Sequence, residues 1–186
     1  IANLDETRFG ATQEAIGAYR QAYEEMPEDL TTIDHLARLY LSEEDWAQAA
    51  EVLRDKLELL DDENLQREVY TQLAELMDGR LKDADEAISH LQSALDVEPG
   101  NASIFQRLCD LYERENRWQD LMDLLEQQQE LKLDEGLLRN DENDVRIAAI
   151  LRDKIGDTLQ SVERLGEVLE RNGDHARALS DLEDFL

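Results

Sequence analysis

The sequence predicts an all-α fold of stacked helix pairs, and three observations predict it. The first is an internal repeat: the segment from Phe9 matches the segment from Leu81 without a gap at an offset of 72 residues, pairing Ala15 with Ala87, Ile16 with Ile88, Ala22 with Ala94 and Pro27 with Pro99. Self-similarity at a fixed spacing is the mark of repeated supersecondary units. The second is composition: two prolines and eight glycines in 186 residues leave few helix breakers, and Ala, Leu, Glu, Gln and Arg are all good helix formers. The third is apolar spacing of helical period throughout. Together they predict a right-handed α–α superhelix of four to five helix pairs, in one repeat domain spanning 1–186.

The helices fall into two alternating sets. In the A set a large, a small and a further large residue one turn on form one face: Leu36-Ala37-x-x-Tyr40, Leu73-Ala74-x-x-Met77, Leu108-Cys109-x-x-Tyr112 and Ile147-Ala148-x-x-Leu151. The small residue lets a neighbouring helix approach. In the B set the stripes are Ala15-x3-Tyr19-x2-Ala22, Ala49-x3-Leu53, Ala87-x3-Leu91-x2-Ala94, Leu121-x3-Leu125 and Ser161-x3-Leu165-x2-Val168. B helices stop at Met26-Pro27, Leu60-Asp61-Asp62, Glu98-Pro99-Gly100-Asn101 and Asn172-Gly173-Asp174, where Pro ends a helix and Gly or Asn takes the left-handed turn; the Asp and Asn residues are ready caps for the next A helix.

The B anchors Tyr19, Leu53, Leu91, Leu125 and Leu165 are separated by 34, 38, 34 and 40 residues. Short units carry Trp46 or Trp118 at the turn between helices, as packing anchors. Long units are expected to carry an extended turn, at Phe9-Gly10, Leu81-Lys82-Asp83 and Ile155-Gly156-Asp157. The structural period is then a four-helix block of about 72–74 residues. Lys132 to Asp144 reads as a loop after an extended helix, and Ala176 to Phe185 as an A helix without its partner. The absence of an initiator Met and of polar capping helices leads us to expect a segment of a longer protein.

Forty-six acidic against nineteen basic residues give a formal charge of −27. Such a field disfavours nucleic acid and anionic membrane surfaces and favours basic peptides or cations. No run of about 18 apolar residues is present, so no membrane insertion is expected. A lone Cys109 rules out an intramolecular disulfide. The compartment is not fixed, with the cytoplasm as the default.

The large-x2-Leu-small-x2-Tyr helix, the small residue opening the next helix and the Pro near its end resemble the tetratricopeptide repeat, best over Thr31–Leu53 and Ile88–Trp118. The resemblance covers nearly the whole chain, and its alternating units are similar to those of long bacterial arrays. Departures are Leu121 at a small-residue position, Asp61 and Gly173 in place of Pro, and the long units. The resemblance implies a protein-interaction scaffold or adaptor, not an enzyme, that binds a basic or polar peptide or partner domain in a concave groove. The other implied role is a structural spacer that self-associates end to end through terminal helices. It places on the concave wall Thr31, Asp34, Arg38 and Leu41; Glu68, Thr71, Glu75 and Asp78; Ser103, Gln106, Asp110 and Glu113; and Glu142, Val145, Ala149 and Arg152. With Asp184 of the last helix counted and Arg177 beside it left aside, acids on that wall outnumber bases eight to two. A clamp for a partner's C-terminal carboxylate needs cations there, so that ligand is not expected.

No cofactor or metal is expected. His35, His90 and His175 lie in different repeats and share no ligand spacing. Asp61-Asp62-Glu63 and Asp141-Glu142-Asn143-Asp144 lack the glycine-containing pattern of a calcium loop, and neither a phosphate loop nor a nucleophile elbow is present. Cys109 reads as a buried inert thiol, and Met26, Met77 and Met122 as core-edge residues.

Overall fold

The computed structural model describes the backbone of residues 2–134 and 140–185, and the side-chain surroundings of residues 11–131 and 140–185. Among the described residues ten α-helices follow one another without a strand: α1 (Ala2–Glu25), α2 (Leu30–Ser42), α3 (Trp46–Leu59), α4 (Glu63–Leu76), α5 (Ala84–Val97), α6 (Ala102–Arg114), α7 (Trp118–Asp134), α8 (Asp141–Ile150), α9 (Thr158–Arg171) and α10 (Ala176–Glu183). The chain forms two compact units, Ile1–Leu108 and Cys109–Leu186, divided inside α6.

Helix starts are set by short polar side chains that satisfy otherwise orphaned backbone N–H groups. Asp29 accepts from Thr31 and Thr32 at α2, Asp45 from Gln48 at α3, Asp62 from Leu65 at α4 and Asp83 from Glu86 at α5. Asn101 accepts from Ser103 and Ile104 at α6, Asn140 from Glu142 at α8, and Asp157 from Gln160 at α9. At α10 the cap is a histidine, His175, whose Nδ1 accepts from the Ala178 N–H. The Thr32 hydroxyl also donates to Asp29, holding its carboxyl below the usual carboxylate range.

The core is the set of small–large stripes. Leu36, Ala37 and Tyr40, Leu73, Ala74 and Met77, Leu108, Cys109 and Tyr112, and Ile147, Ala148 and Leu151 are all buried. So are Leu53, Leu91, Leu125 and Leu165 of the B helices; Tyr19 of α1 is half-buried. Each large aliphatic side chain seated this way contributes about 1.5–3 kcal/mol over an exposed one. In the first unit α2 packs on α3 and α4 on α5; in the second α8 packs on α9, and α10 covers both. Val145, Ala148, Leu165, Val168 and Ala178 form one cluster there, closed by Leu169, Leu182 and Phe185.

Two expected turns take another form. Phe9-Gly10 lies within α1, which is continuous from Ala2 to Glu25; a glycine inside a helix costs about 1 kcal/mol against alanine but does not end it. Asp141–Asp144 is the first turn of α8 and not part of a loop, because Asn140 caps the helix ahead of it; residues 135–139 of that expected loop lie outside the described residues. Met26, expected at a core edge, is 59% exposed beyond the end of α1, whereas Met77 and Met122 are buried.

Each long unit takes up one of its extra residues at a wide helical turn of π type, Met77–Leu81 after α4 and Leu151–Ile155 after α8. A π turn takes up one residue more than an α turn and is seen mostly as a single-turn bulge. Each closes on a left-handed residue, Lys82 at φ 60° and Gly156 at φ 83°, and the next N–H returns to the start of the turn: Asp83 to the Met77 carbonyl at 3.0 Å, Asp157 to that of Leu151 at 2.8 Å. The short units instead close through Glu44 at φ 60° and Asn116 at φ 57°, with Asp45 returning to Tyr40 and Arg117 to Tyr112. Each tryptophan of a short unit is covered by a cation from a wide turn. The Arg80 guanidinium lies 4.8 Å from the Trp46 ring, and the Lys154 ammonium 4.9 Å from the Trp118 ring.

Candidate interaction surface

In the first unit, burial of one face of α2 and α4 leaves the opposite face to solvent. On α2, Ile33, Leu36, Ala37 and Tyr40 are buried, while Thr31, Asp34, Arg38 and Leu41 are exposed. On α4, Val69, Leu73 and Ala74 are buried, Glu68 and Glu75 are exposed, and Thr71 is half-buried. Asp78, in the wide turn that follows, is half-buried, and Gln106 of α6 is exposed.

Several of these carboxylates are already engaged. Lys56 of α3 binds Asp34 at 2.6 Å, and Arg107 of α6 binds Glu75 at 2.9 Å. Arg38 lies 3.0 Å from His35 Nδ1, and His35 itself stacks against Tyr19 with ring centres 4.8 Å apart. The Thr71 hydroxyl is turned inward, donating to the Arg67 carbonyl at 2.9 Å. Glu68 is exposed and has no ion-pair partner among the described residues. The first unit therefore presents less free acid than a residue count suggests.

In the second unit, Asp110 and Glu113 of α6 are exposed, and Arg146 of α8 binds Glu113 at 2.6 Å. Glu142 lies 3.4 Å from His175 and 3.8 Å from Arg177. Arg152 is half-buried: it binds Asp153 at 2.7 Å, lies within 4 Å of Asp181 and Asp184, and stacks over Phe185 at 5.7 Å. Val145 does not reach a surface. It is fully buried in the cluster that α10 closes, so it is unable to meet a partner. Arg107 and Arg146, absent from the wall that the sequence predicts, each follow the acid they bind by one repeat, 32 and 33 residues. That interval is the signal by which a sequence reveals them.

The remaining reactive groups have structural surroundings. Cys109 is buried, and burial pushes its thiol up to about 11, so it stays protonated at neutral pH. His90 sits between α4 and α5 near Tyr70, and its Nε2 is 3.6 Å from Glu86, beyond hydrogen-bond reach. No group of three or more metal-ligating side chains occurs among the described residues. Asp144 is the one buried carboxylate among the described residues: it is fully enclosed and accepts from Arg164 at 2.8 Å, Arg171 at 2.6 Å and Gln129 at 3.2 Å.

The tetratricopeptide repeat family model matches residues 32–84, and the helix-pair architecture is that of the tetratricopeptide-repeat fold. No curated protein sequence matches the chain. Among solved structures it is similar to YrrB, described as a tetratricopeptide-repeat protein with an unusual peptide-binding site, at 16% identity and a TM-score of 0.50 over 98% of this chain and 88% of that one. It is likewise similar to MamA, at 21% identity and a TM-score of 0.50 over 93% and 90% of the two chains. A third similar structure holds tetratricopeptide-like repeats of a Podosopora anserina putative kinesin light chain, at 18% identity and a TM-score of 0.46 over 91% of each chain.

Proposed function

We propose that the chain is a protein-interaction module that holds a peptide or a partner segment against the solvent-facing side of α2 and α4 in the first unit, with Gln106 at its edge. The observation that carries this reading is the exposure of the same register positions on two consecutive A helices. Asp34, Arg38, Leu41, Glu68, Glu75 and Gln106 are all exposed while the opposite sides are sealed. The peptide-binding site named for YrrB, a protein of similar fold, supports the same reading. Charge selects the partner. Glu68 is free to meet a cation, Leu41 is 38% exposed and suits an apolar side chain, and Asp34 and Glu75 exchange an internal cation for an external one. In the second unit Asp110, Glu113 and Arg152 occupy corresponding register positions; two of them are tied to Arg146 and Asp153.

The test is a titration of isotopically labelled protein with a basic peptide carrying one aliphatic residue. Amide shifts are expected along Thr31–Leu41 and Glu68–Asp78, and Glu68→Lys is expected to weaken binding about tenfold, the size of one lost charge contact. Affinity that is indifferent to both Glu68→Lys and added salt overturns the proposal.

A further inference from the structure

We propose a second docking surface, on the outward face of α9 in the second unit, that receives a basic amphipathic helix. It is independent of the α2–α4 surface. The residues Ser161, Leu165 and Val168 are buried and define the inner face of α9. Leu159, Glu163, Gly166 and Glu170, at i, i+4, i+7 and i+11, share the opposite face. Three features of that face are unfavourable for an isolated helix.

The first is Leu159, 69% exposed in the first turn of the helix, with Ile155 at 48% just before it. Val162, one turn beyond Leu159, is half-exposed. The second is a row of acids. Glu163, Glu167 and Glu170 are exposed and have no ion pair among the described residues. Spaced four and then three residues apart, they repel one another along the helix. Cations are at hand on the same helix but are turned away: Arg164 binds Glu126 and Asp144, and Arg171 binds Asp141 and Asp144. The third is Gly166. A Cβ added there would meet nothing within 4 Å, so no internal neighbour requires a glycine in the middle of this helix.

One occupant accounts for all three. A partner helix with lysine or arginine facing the glutamates neutralises the row. Its aliphatic residues cover Leu159 and Val162, and its backbone approaches closely at Gly166, where a side chain would hold it off. A second copy of this chain is a poor occupant, because with a net charge of −27 it would bring acid to acid.

The probe is a synthetic amphipathic helical peptide with leucine along one stripe and lysine beside it, compared with a scrambled peptide of the same composition. Shifts confined to Ile155–Glu170 are expected on the intact chain. Leu159→Glu and the pair Glu163→Lys with Glu170→Lys are each expected to weaken binding by about tenfold or more, as is scrambling the peptide. Gly166→Ala supplies a control against misfolding: it is expected to raise the melting temperature, since alanine favours a helix by about 1 kcal/mol over glycine, and yet to lower affinity several-fold. Equal binding of the scrambled peptide, no binding, unchanged affinity in Gly166→Ala, shifts at α2–α4 instead, or a dimer closed over α9 in sedimentation would each overturn the proposal. Shifts at α2–α4 would at the same time support the first-unit surface, so the two ideas fail separately.

Discussion

Asp144 is the residue on which the second unit is most exposed to damage. It has no contact with water, and two guanidinium groups from α9 and one amide from α7 converge on it. Arg164 and Arg171 keep Glu126 and Asp141 when Asp144 is removed, so the loss is that of the buried Gln129 donor left unpaired and of the shared charge-assisted hydrogen bonds, about 1–3 kcal/mol. Asp144→Ala is therefore expected to lose stability on that scale in denaturant unfolding, and Asp153→Ala, at an exposed pair, to lose well under 1 kcal/mol. His90 works through protons. Burial pulls its imidazole below the ordinary value of 6.5, outweighing the upward pull of Glu86. The unfolded chain then binds the proton more readily than the folded one. The His90 contribution is present above pH 6.5 and is lost as pH falls from there toward the folded value. Comparing wild type with His90→Gln, the stability difference is expected to narrow on acidification through that window; a constant difference would show that His90 binds its proton equally well in the folded and unfolded states.

The helices were legible because period and punctuation agreed. Every A triplet and four of the five B anchors are buried, and the capping residues lie where Asp or Asn was available. What escaped the sequence was how a surplus of residues is accommodated. Phe9-Gly10 resembles Leu81-Lys82 and Ile155-Gly156 in position, yet only the latter two follow wide turns, because a local glycine does not by itself decide between a continued and an interrupted helix. The two wide turns use unlike residues for the same left-handed closure. An L side chain in that region costs about 1–2 kcal/mol, so Lys82→Gly is expected to stabilise the first unit by up to about 1 kcal/mol, and Gly156→Ala to destabilise the second by a similar amount. The space that an alanine methyl would enter at Gly156 is open, so that loss would be a backbone effect. The tryptophans, read as packing anchors, proved also to be seats for a cation one unit further on, a pairing that sequence spacing alone does not reveal.

Across the whole molecule, charge is the dominant long-range term. With 46 acids and 19 basic side chains, internal pairing uses most of the cations and leaves the remaining charge negative. Self-repulsion then opposes the compact state. Raising ionic strength from very low salt to about 0.15 M, where the Debye length is about 8 Å, is expected to raise the melting temperature; a fall would mean that the ion pairs outweigh the repulsion. The candidate surface was legible only in outline. Register told which residues leave the core on α2 and α4, but not that Lys56 and Arg107 reach their acids, since those partners come from other helices. On α8 register failed at Val145, because α10 folds over a position that would otherwise face outward.

The wide turns at Met77–Leu81 and Leu151–Ile155 act as expansion joints. Slack of one residue sits between an A helix and the following B helix, outside the stripe that either one buries. Loss of Gly79, whose surroundings are open, would tighten that turn toward an ordinary α turn and leave Leu73 and Leu91 in their seats. A one-residue insertion or deletion that would scramble a helix face elsewhere in the chain is tolerable at these two joints.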